Sequence, residues 1–405
     1  DGFADVIGAG FDKKRREQML SENKAHWLSL TDYQQWYQQL PEKTRARIED
    51  YWGKPADFSL ISEQSGEAGF IVPVIESGNM VYLPQPSRGT GDIDQEKQLY
   101  HDTRVPVSHA YLVSYLWVRD RFNADALIHF GTHGTQEWMA GKERGLSATA
   151  DDPYVAIGDI PIIYPYIMDD VGEAVQAKRR GRAVMVSHQT PAFRASGLHG
   201  TLVDAHDLIH QWENLEPGEV KANTLNSLMQ LAKDESLTES LAWTEQQVRE
   251  RPEDFIFALH DYLHELAAQS QPIGLHTFAT DSPEQQKIST VMQMLGQAFI
   301  DSFDLPDSDE LLVQDYEKLQ QTEPYQWLVD VILNDKKVNG AQQVFAEQAR
   351  EMFNNLRTDG ELAGLTAALS GQHVSPQIGG DPIRVPDALP TGGNLVGFDP
   401  AKLPN

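Results

Sequence analysis

The 405-residue chain contains no cysteine. That absence excludes disulfide scaffolds, thiolate metal sites, iron–sulfur clusters and cysteine nucleophiles. Any metal must be held by His, Asp or Glu. Basic residues are scarce: 33 Lys and Arg stand against 60 Asp and Glu, for a formal charge of −27. That balance argues against a nucleic-acid partner, because phosphate contacts require a basic face. An anionic membrane surface is disfavoured for the same reason. Long apolar runs are missing: the best, 110–118, is far shorter than a membrane span. No secretory leader pattern is visible, and the expected compartment is the cytoplasm. No Gly-x-x-x-x-Gly-Lys-Ser/Thr segment occurs, so no phosphate loop is present in the sequence.

What is present suffices for two or three domains with a core that needs no cross-links. The opening, DGFADVIGAGFDKKRREQ, lacks a start methionine and reads as a fragment of a larger multidomain protein. Residues 13–53 have a helical pattern, with an N-cap at Thr31-Asp32 and a second helix from Pro41-Glu42 to Gly53. Within 68–84, β-branched runs flank a Ser-Gly-Asn turn and predict a hairpin. After a polar loop over 85–104, Ser108 caps a helix with Tyr111, Tyr115 and Val118 on one face. DALIHF (125–130) reads as a short buried strand, 155–168 as another, 172–181 as a helix and 182–188 as a strand. This alternation predicts an α/β fold with a mostly parallel sheet layer. Beyond 200 the apolar periodicity is helical, interrupted by loops over 271–286 and 301–310. The tail from 374 is Pro/Gly-rich and aperiodic. The expected organisation is a helical segment of a preceding domain (1–60), an α/β core (61–200), a mainly helical region (201–373) and a connection into a following domain (374–405).

Chemistry concentrates in HFGTHGTQEWMAGK (129–142), where His129, His133 and Glu137 recur every four residues. Gly131 and Gly134 argue against a regular helix. The pattern instead places His129 at the carboxyl end of a strand, His133 in the following loop and Glu137 at the opening of the next helix. Open α/β sheets gather ligands at that edge. Two imidazoles and a carboxylate suit a divalent metal or acid–base work; alternatively they are hydrogen-bonded residues that shape a turn. In YPYIMDDVGEAVQAKRRG, Tyr164 and Tyr166 are aromatic walls or plain strand residues, and Glu173 sits in a first helical turn. Lys178, Arg179 and Arg180 form a basic island, either a solvated helix end or a clamp for carboxylates. Arg88, His101, Asp102 and His109 make a third, looser group, in which lone histidines are more often structural than catalytic.

A collinear set of blocks resembles the large, porphyrinoid-binding subunit of the tetrapyrrole metal chelatases, the family of cobaltochelatase large subunits and the H subunit of magnesium chelatase. The blocks are QPSRGTGDID with YHD, the helix from His109 with Trp117, ALIHFGTHGTQEWMAGK, GDIPIIYPYIMDDVGEAVQAKRRG, HQTP, GLHTF and LPTGGNLVGFDPAKLP. They cover most of 68–280 and 378–405, and the wording is closer to the cobalt branch. Thr132, Asp169-Asp170 and Val171 depart from that branch's usual residues. The resemblance implies insertion of a divalent metal substrate, cobalt before magnesium, into a tetrapyrrole. It implies energy from two ATPase-type partner subunits that use ATP and Mg. It further implies His129, His133 and Glu137 as metal-binding and catalytic residues. Contacts to the macrocycle would come from Arg88, His109, Trp138, Lys142, Tyr164, Tyr166, Glu173, Lys178, Arg179 and Arg180. Haem demetallation and a non-catalytic tetrapyrrole or metal carrier are the alternatives on the same scaffold.

Overall fold

A computed structural model describes residues 12–90, 93–99, 102–131, 134, 136–305, 308–313 and 316–397. The chain forms two compact units. The first comprises residues 1–188, 360–380 and 392–405, and the second 189–359 and 381–391.

The first unit begins with helix α1 (Lys13–Ser21), strand β1 (Ala25–Ser29), and helices α2 (Leu30–Tyr37) and α3 (Glu42–Trp52). The strand interrupts a segment whose composition reads as helix. Its register explains why: Ala25–Ser29 pairs antiparallel with β3 (Glu67–Pro73), and the Trp27 ring lies over Gly69, where a Cβ would meet it at 2.5 Å. Ser29, two residues before the expected cap, accepts from the Asp32 amide and starts α2. Strand β2 (Ser62–Gln64) completes this sheet. The expected hairpin forms as β4 (Ile75–Ser77) and β5 (Met80–Tyr82), joined by Gly78-Asn79 with Gly78 at φ +60°. Helix α4 (Ile93–Leu99) follows, and then α5 (His109–Leu116), capped by Ser108 as the sequence indicates.

The main sheet is built from β6 (Leu127–Ile128), β7 (Ile162–Ile167) and β8 (Val184–His188), paired parallel in that order. Part of the stretch expected as strand before β7 is helix α6 (Asp152–Ile157). Pro153 favours a helical first turn, and Gly158 at φ +62° ends it. Helix α7 (Val171–Gly181) crosses from β7 to β8. The Pro/Gly-rich tail, which lacks periodicity, nonetheless supplies β11 (Pro376–Ile378) and β12 (Asn394–Val396), giving the order β11-β12-β8-β7-β6. Only the β12–β8 pairing is antiparallel. Backbone bonds drive this addition: the Ser187 amide donates to Gly393 O at 2.9 Å and its hydroxyl accepts from Gly392 N at 2.8 Å. The core gathers Phe70, Tyr111, Leu112, Ile162, Tyr164, Met185 and Leu395.

The second unit is mainly helical. A two-stranded antiparallel ribbon, β9 (Ala192–Ala195) with β10 (Ser270–Ile273), receives Thr290 Oγ1 of a long helix against Phe193 N at 2.8 Å. The sequence places β10 in a loop; its pairing to β9 makes it a strand. Helices α8 (Thr201–Asn214), α9 (Glu219–Asp234) and α10 (Pro252–Ala268) turn apolar stripes inward, where Ile209, Leu228, Phe255, Leu259 and Leu263 are fully buried. Among the described residues no helix is long and apolar enough to cross a membrane.

Candidate functional site

His129 follows β6 directly, at the carboxyl edge of the parallel strands. Its amide donates to Ile163 O at 3.0 Å, so the ladder fixes the main chain where the side chain projects. The imidazole is buried, edge-on to the Tyr164 ring with centroids 5.3 Å apart. Burial lowers its pKa to about 4, so the ring is neutral at physiological pH. Its Nε2 lies 3.0 Å from Tyr115 Oη. Nδ1 is buried and has no hydrogen-bond partner among the described residues. When Nε2–H donates to Tyr115, Nδ1 presents a bare lone pair, and that is the tautomer a cation selects.

Tyr115 is itself positioned. It stacks on Tyr111 with centroids 5.1 Å apart, the two hydroxyls are 3.4 Å apart, and Gln85 Nε2 donates to Tyr111 Oη at 2.9 Å. Burial pushes the Tyr115 phenol up to about 12, so it stays protonated. Tyr111 and Tyr115 are one helical turn apart on α5, which explains their stacking. Both read as core residues in the sequence, and nothing in their spacing marks them as part of a polar chain.

Glu137 lies in a one-turn 3-10 helix, Gln136–Trp138, and is buried. Gln136 Nε2 anchors the turn to Pro153 O at 2.9 Å. The carboxylate and Tyr164 Oη meet at Gly134: a Cβ there would sit 2.7 Å from Tyr164 Oη and 3.0 and 3.2 Å from the two Glu137 oxygens. His129, Tyr164 and Glu137 are thus brought together. His133 lies outside the described residues.

Arg180 is the most deeply buried cation of the basic island. It donates Nε to Glu137 O at 2.5 Å and Nη1 to Gly141 O at 3.2 Å, and it also reaches the carbonyls of Met139 and Lys142. Its neighbours differ. Lys178 is half-buried, bonds Asn394 Oδ1 on β12, and has its pKa lowered by burial. Arg179 is exposed and lines a polar cleft of about 370 Å³ with Trp138, Glu143, Arg144 and Gln176. Lys142 is exposed, its Nζ 3.9 Å from Asp151. Tyr166 donates to Asp170 Oδ2 at 3.2 Å, and burial raises its pKa; half-buried Glu173 contributes to that rise. Arg88 is buried and ties its loop together through Leu99 O and, at 3.0 Å, Asp102 O. His109 is fully buried, between Tyr33 Oη at 2.8 Å and Gly53 O at 2.9 Å. Arg88 and His109 are thus both held by hydrogen bonds within the first unit. Phe130, immediately after His129, is 71% exposed, an aromatic face that a hydrophobic-core reading of DALIHF overlooks. The second unit holds a histidine cluster that the sequence announces as a repeated His-Asp-x-x-His.

The open α/β sheet thus carries a buried imidazole at its carboxyl edge and a buried carboxylate near it, side chains of the kinds that ligate divalent ions. A family model described as CobN/Magnesium Chelatase matches residues 3–405, and the chain belongs to that family. The chloroplastic magnesium-chelatase subunit ChlH of Oryza sativa subsp. indica is 27% identical over 452 residues, covering 97% of this chain and 32% of the relative. The aerobic cobaltochelatase subunit CobN of Pseudomonas aeruginosa is 31% identical over 274 residues, covering 67% of this chain and 21% of the relative. The solved catalytic subunit of cobaltochelatase from Mycobacterium tuberculosis shares the fold, with a TM-score of 0.74 at 23% identity, over 96% of this chain and 37% of that one. The chain thus spans a fifth to a third of the curated relatives it matches.

Proposed function

We propose that the chain is part of the large, porphyrinoid-binding subunit of an ATP-dependent metal chelatase, a ligase that forms nitrogen–metal bonds. Its substrates are a tetrapyrrole and a divalent metal, with cobalt preferred to magnesium. The absence of a phosphate loop from the sequence fits a division of labour in which two ATPase-type partner subunits supply the energy. The cytoplasm is the proposed compartment. The single observation that carries the reading is the buried, neutral His129, its Nδ1 unpartnered among the described residues, against the Tyr164 ring, whose hydroxyl crowds Gly134 together with the Glu137 carboxylate.

Insertion has to strip water from the cation, remove two protons from pyrrole nitrogens and bend the ring. Neutral imidazole is a good borderline ligand, so His129, with His133 of the same motif, takes the metal. Glu137 is the better proton acceptor beside a cation. Exposed Phe130 suits the flat face of a macrocycle, and Arg179 and Arg144 of the neighbouring cleft suit its acidic side chains. Arg180 acts by positioning the loop that carries Glu137.

The test belongs in the full-length subunit with its ATPase partners. Glu137→Gln should leave tetrapyrrole binding unchanged and cut cobalt insertion by about 10²–10⁴-fold. Full insertion activity in that variant would end the proton-acceptor assignment. Tetrapyrrole binding by the wild-type complex without insertion of any metal would instead mark a carrier, and release of metal from a metallated ring would mark demetallation.

A further inference from the structure

Four of the thirteen histidines meet in the second unit. His206 and His210 are one turn apart on α8, and His260 and His264 one turn apart on α10. Each pair is the same pentapeptide pattern, His-Asp-Leu-Ile-His and His-Asp-Tyr-Leu-His. In both, the apolar residue before the second His, Ile209 or Leu263, is fully buried, so each helix is fixed in rotation and each imidazole pair is held at the rim of the core. A short turn at Asp309–Leu311 brings in Glu310.

We propose that His206, His210, His260, His264 and Glu310 form a binding site for one divalent first-row transition ion of the zinc, cobalt and nickel class. All four Nε2 atoms converge on one carboxylate. His206 is 3.2 Å from Glu310 Oε2, and His210, His264 and His260 are 3.3, 3.3 and 3.5 Å from Oε1. The imidazoles also crowd one another: His206 Nε2 is 3.2 Å from His264 Nε2 and 3.3 Å from His210 Nε2. Hydrogen bonding alone does not satisfy this set. If every Nε2 carries a proton for Glu310, two N–H groups collide at each His–His contact. If one of each pair is bare, its lone pair faces the carboxylate. A cation removes the conflict, because four lone pairs and a negative charge then point at one positive centre.

The spacing agrees. A tetrahedron with bonds of about 2.0–2.1 Å has edges of roughly 3.3 Å; each imidazole lies 3.2–3.5 Å from a Glu310 oxygen and His206 lies 3.2–3.3 Å from His264 and His210, with the ligand atoms of His206, His210, His260 and Glu310 all within 4.8 Å of one another. His206, His210, His260 and Glu310 alone form a mutually close set of three nitrogens and one oxygen. His264 adds a further donor for five-coordination. Nitrogen-rich donors disfavour calcium and magnesium, which take oxygen ligands. His210 Nδ1 lies 3.5 Å from Glu213 Oε2, which places an outer carboxylate on the side of the ring away from Nε2. The His210 side chain is 40% exposed, which leaves a path for the ion.

This inference stands apart from the chelatase reading, because its readout is binding. The chain would be stripped with chelator and titrated with Co²⁺, following the visible d–d bands, and then back-titrated with Zn²⁺. The His129→Ala/Glu137→Ala variant should keep a tight equivalent, and His206→Ala/His260→Ala should lose it while retaining wild-type helix content. Glu213→Ala should weaken binding by about 10–100-fold. Should the double His variant misfold, Glu310→Gln serves: Zn²⁺ should raise the melting temperature of the wild type by more than that of this variant. Equal cobalt uptake by wild type and either cluster variant, or no Zn²⁺-dependent stabilisation of the wild type, would overturn the proposal.

Discussion

Arg180 on α7 donates its Nε to the main-chain carbonyl of Glu137 at 2.5 Å. The rest of the guanidinium reaches the carbonyls of Met139, Gly141 and Lys142, so one side chain holds the loop that follows the carboxylate. The planar fork that makes arginine a good carboxylate clamp also makes it a good clamp for converging carbonyls. Within one run of three basic residues, Arg180 faces the core, Lys178 faces β12 and Arg179 faces solvent. Successive helical positions are about 100° apart, so neighbours in sequence meet different surroundings.

Arg180→Met should destabilise the first unit by about 3 kcal/mol or more, because it strands several buried carbonyls at once. Chemical denaturation measures the loss. Hydrogen exchange should accelerate at the amides of residues 137–142 before the rest of the sheet. An unchanged denaturation midpoint would show that the loop holds its shape without the clamp.

The parallel strands, α5 with its Ser108 cap, α7 and the Gly78-Asn79 hairpin were legible because each rests on local pattern: apolar periodicity, a capping side chain or a turn residue. Strands β1, β11 and β12 were not. Each exists because a distant strand offers a row of backbone donors and acceptors, as β3 does for Ala25–Ser29 and β8 for Asn394. Such pairing leaves little trace in the composition of the strand that is captured.

Gly134→Ala tests the crowding around the carboxylate. The added methyl would lie 2.7 Å from Tyr164 Oη and 3.0 Å from the nearer Glu137 oxygen, inside contact distance of both. Overpacking of this kind costs about 1–3 kcal/mol. In the full-length complex, insertion should fall through kcat, while tetrapyrrole affinity changes little. Unaltered turnover would mean that neither side chain has to hold its place during the reaction.

For the candidate site, residue types and spacing pointed to His129 and Glu137, since glycines beside imidazoles at a strand end are visible in one dimension. The Gln85–Tyr111–Tyr115 chain behind His129 was hidden, because a buried tyrosine on an apolar helix face reads as core whatever its hydroxyl does. The cluster in the second unit had a written signal, the doubled His-Asp-x-x-His, but 49 residues separate its two copies and only the fold joins them.

Asp152 provides a pH-dependent signature. It is fully buried, accepts from Val107 N at 2.8 Å and pairs with Arg47, yet burial outweighs the cation and raises its pKa to about 6. A carboxyl whose folded pKa lies above its unfolded value of 3.8 contributes stability that is fully present below 3.8 and lost as the pH rises through 6. Relative to Asp152→Asn, the wild type should therefore gain stability as the pH falls from 7 to 4, by up to about 3 kcal/mol. Paired urea titrations across that range give the difference directly. A flat difference would place the folded pKa of Asp152 at its ordinary value.

Tyr115→Phe separates a ligand role for His129 from a packing role. The phenyl ring keeps the stack on Tyr111 and the edge contact to the imidazole, whose centroids are 5.1 and 6.2 Å away, and removes only the hydroxyl. His129 Nε2 then loses its partner at 3.0 Å, and with it the bond that favours a bare Nδ1. Loss of such an outer partner typically lowers metal affinity by about 10–100-fold. The concentration of cobalt needed for half-maximal insertion by the full complex should rise by that factor, while tetrapyrrole affinity stays close to wild type and stability falls by about 1–3 kcal/mol. If His129 only fills space, the hydroxyl has no path to the metal and the cobalt dependence will not move. If the phenol instead serves the macrocycle, tetrapyrrole affinity will fall and the cobalt dependence will stay where it is. Measuring both dependences on one variant therefore distinguishes a metal ligand from a wall residue at the end of β6.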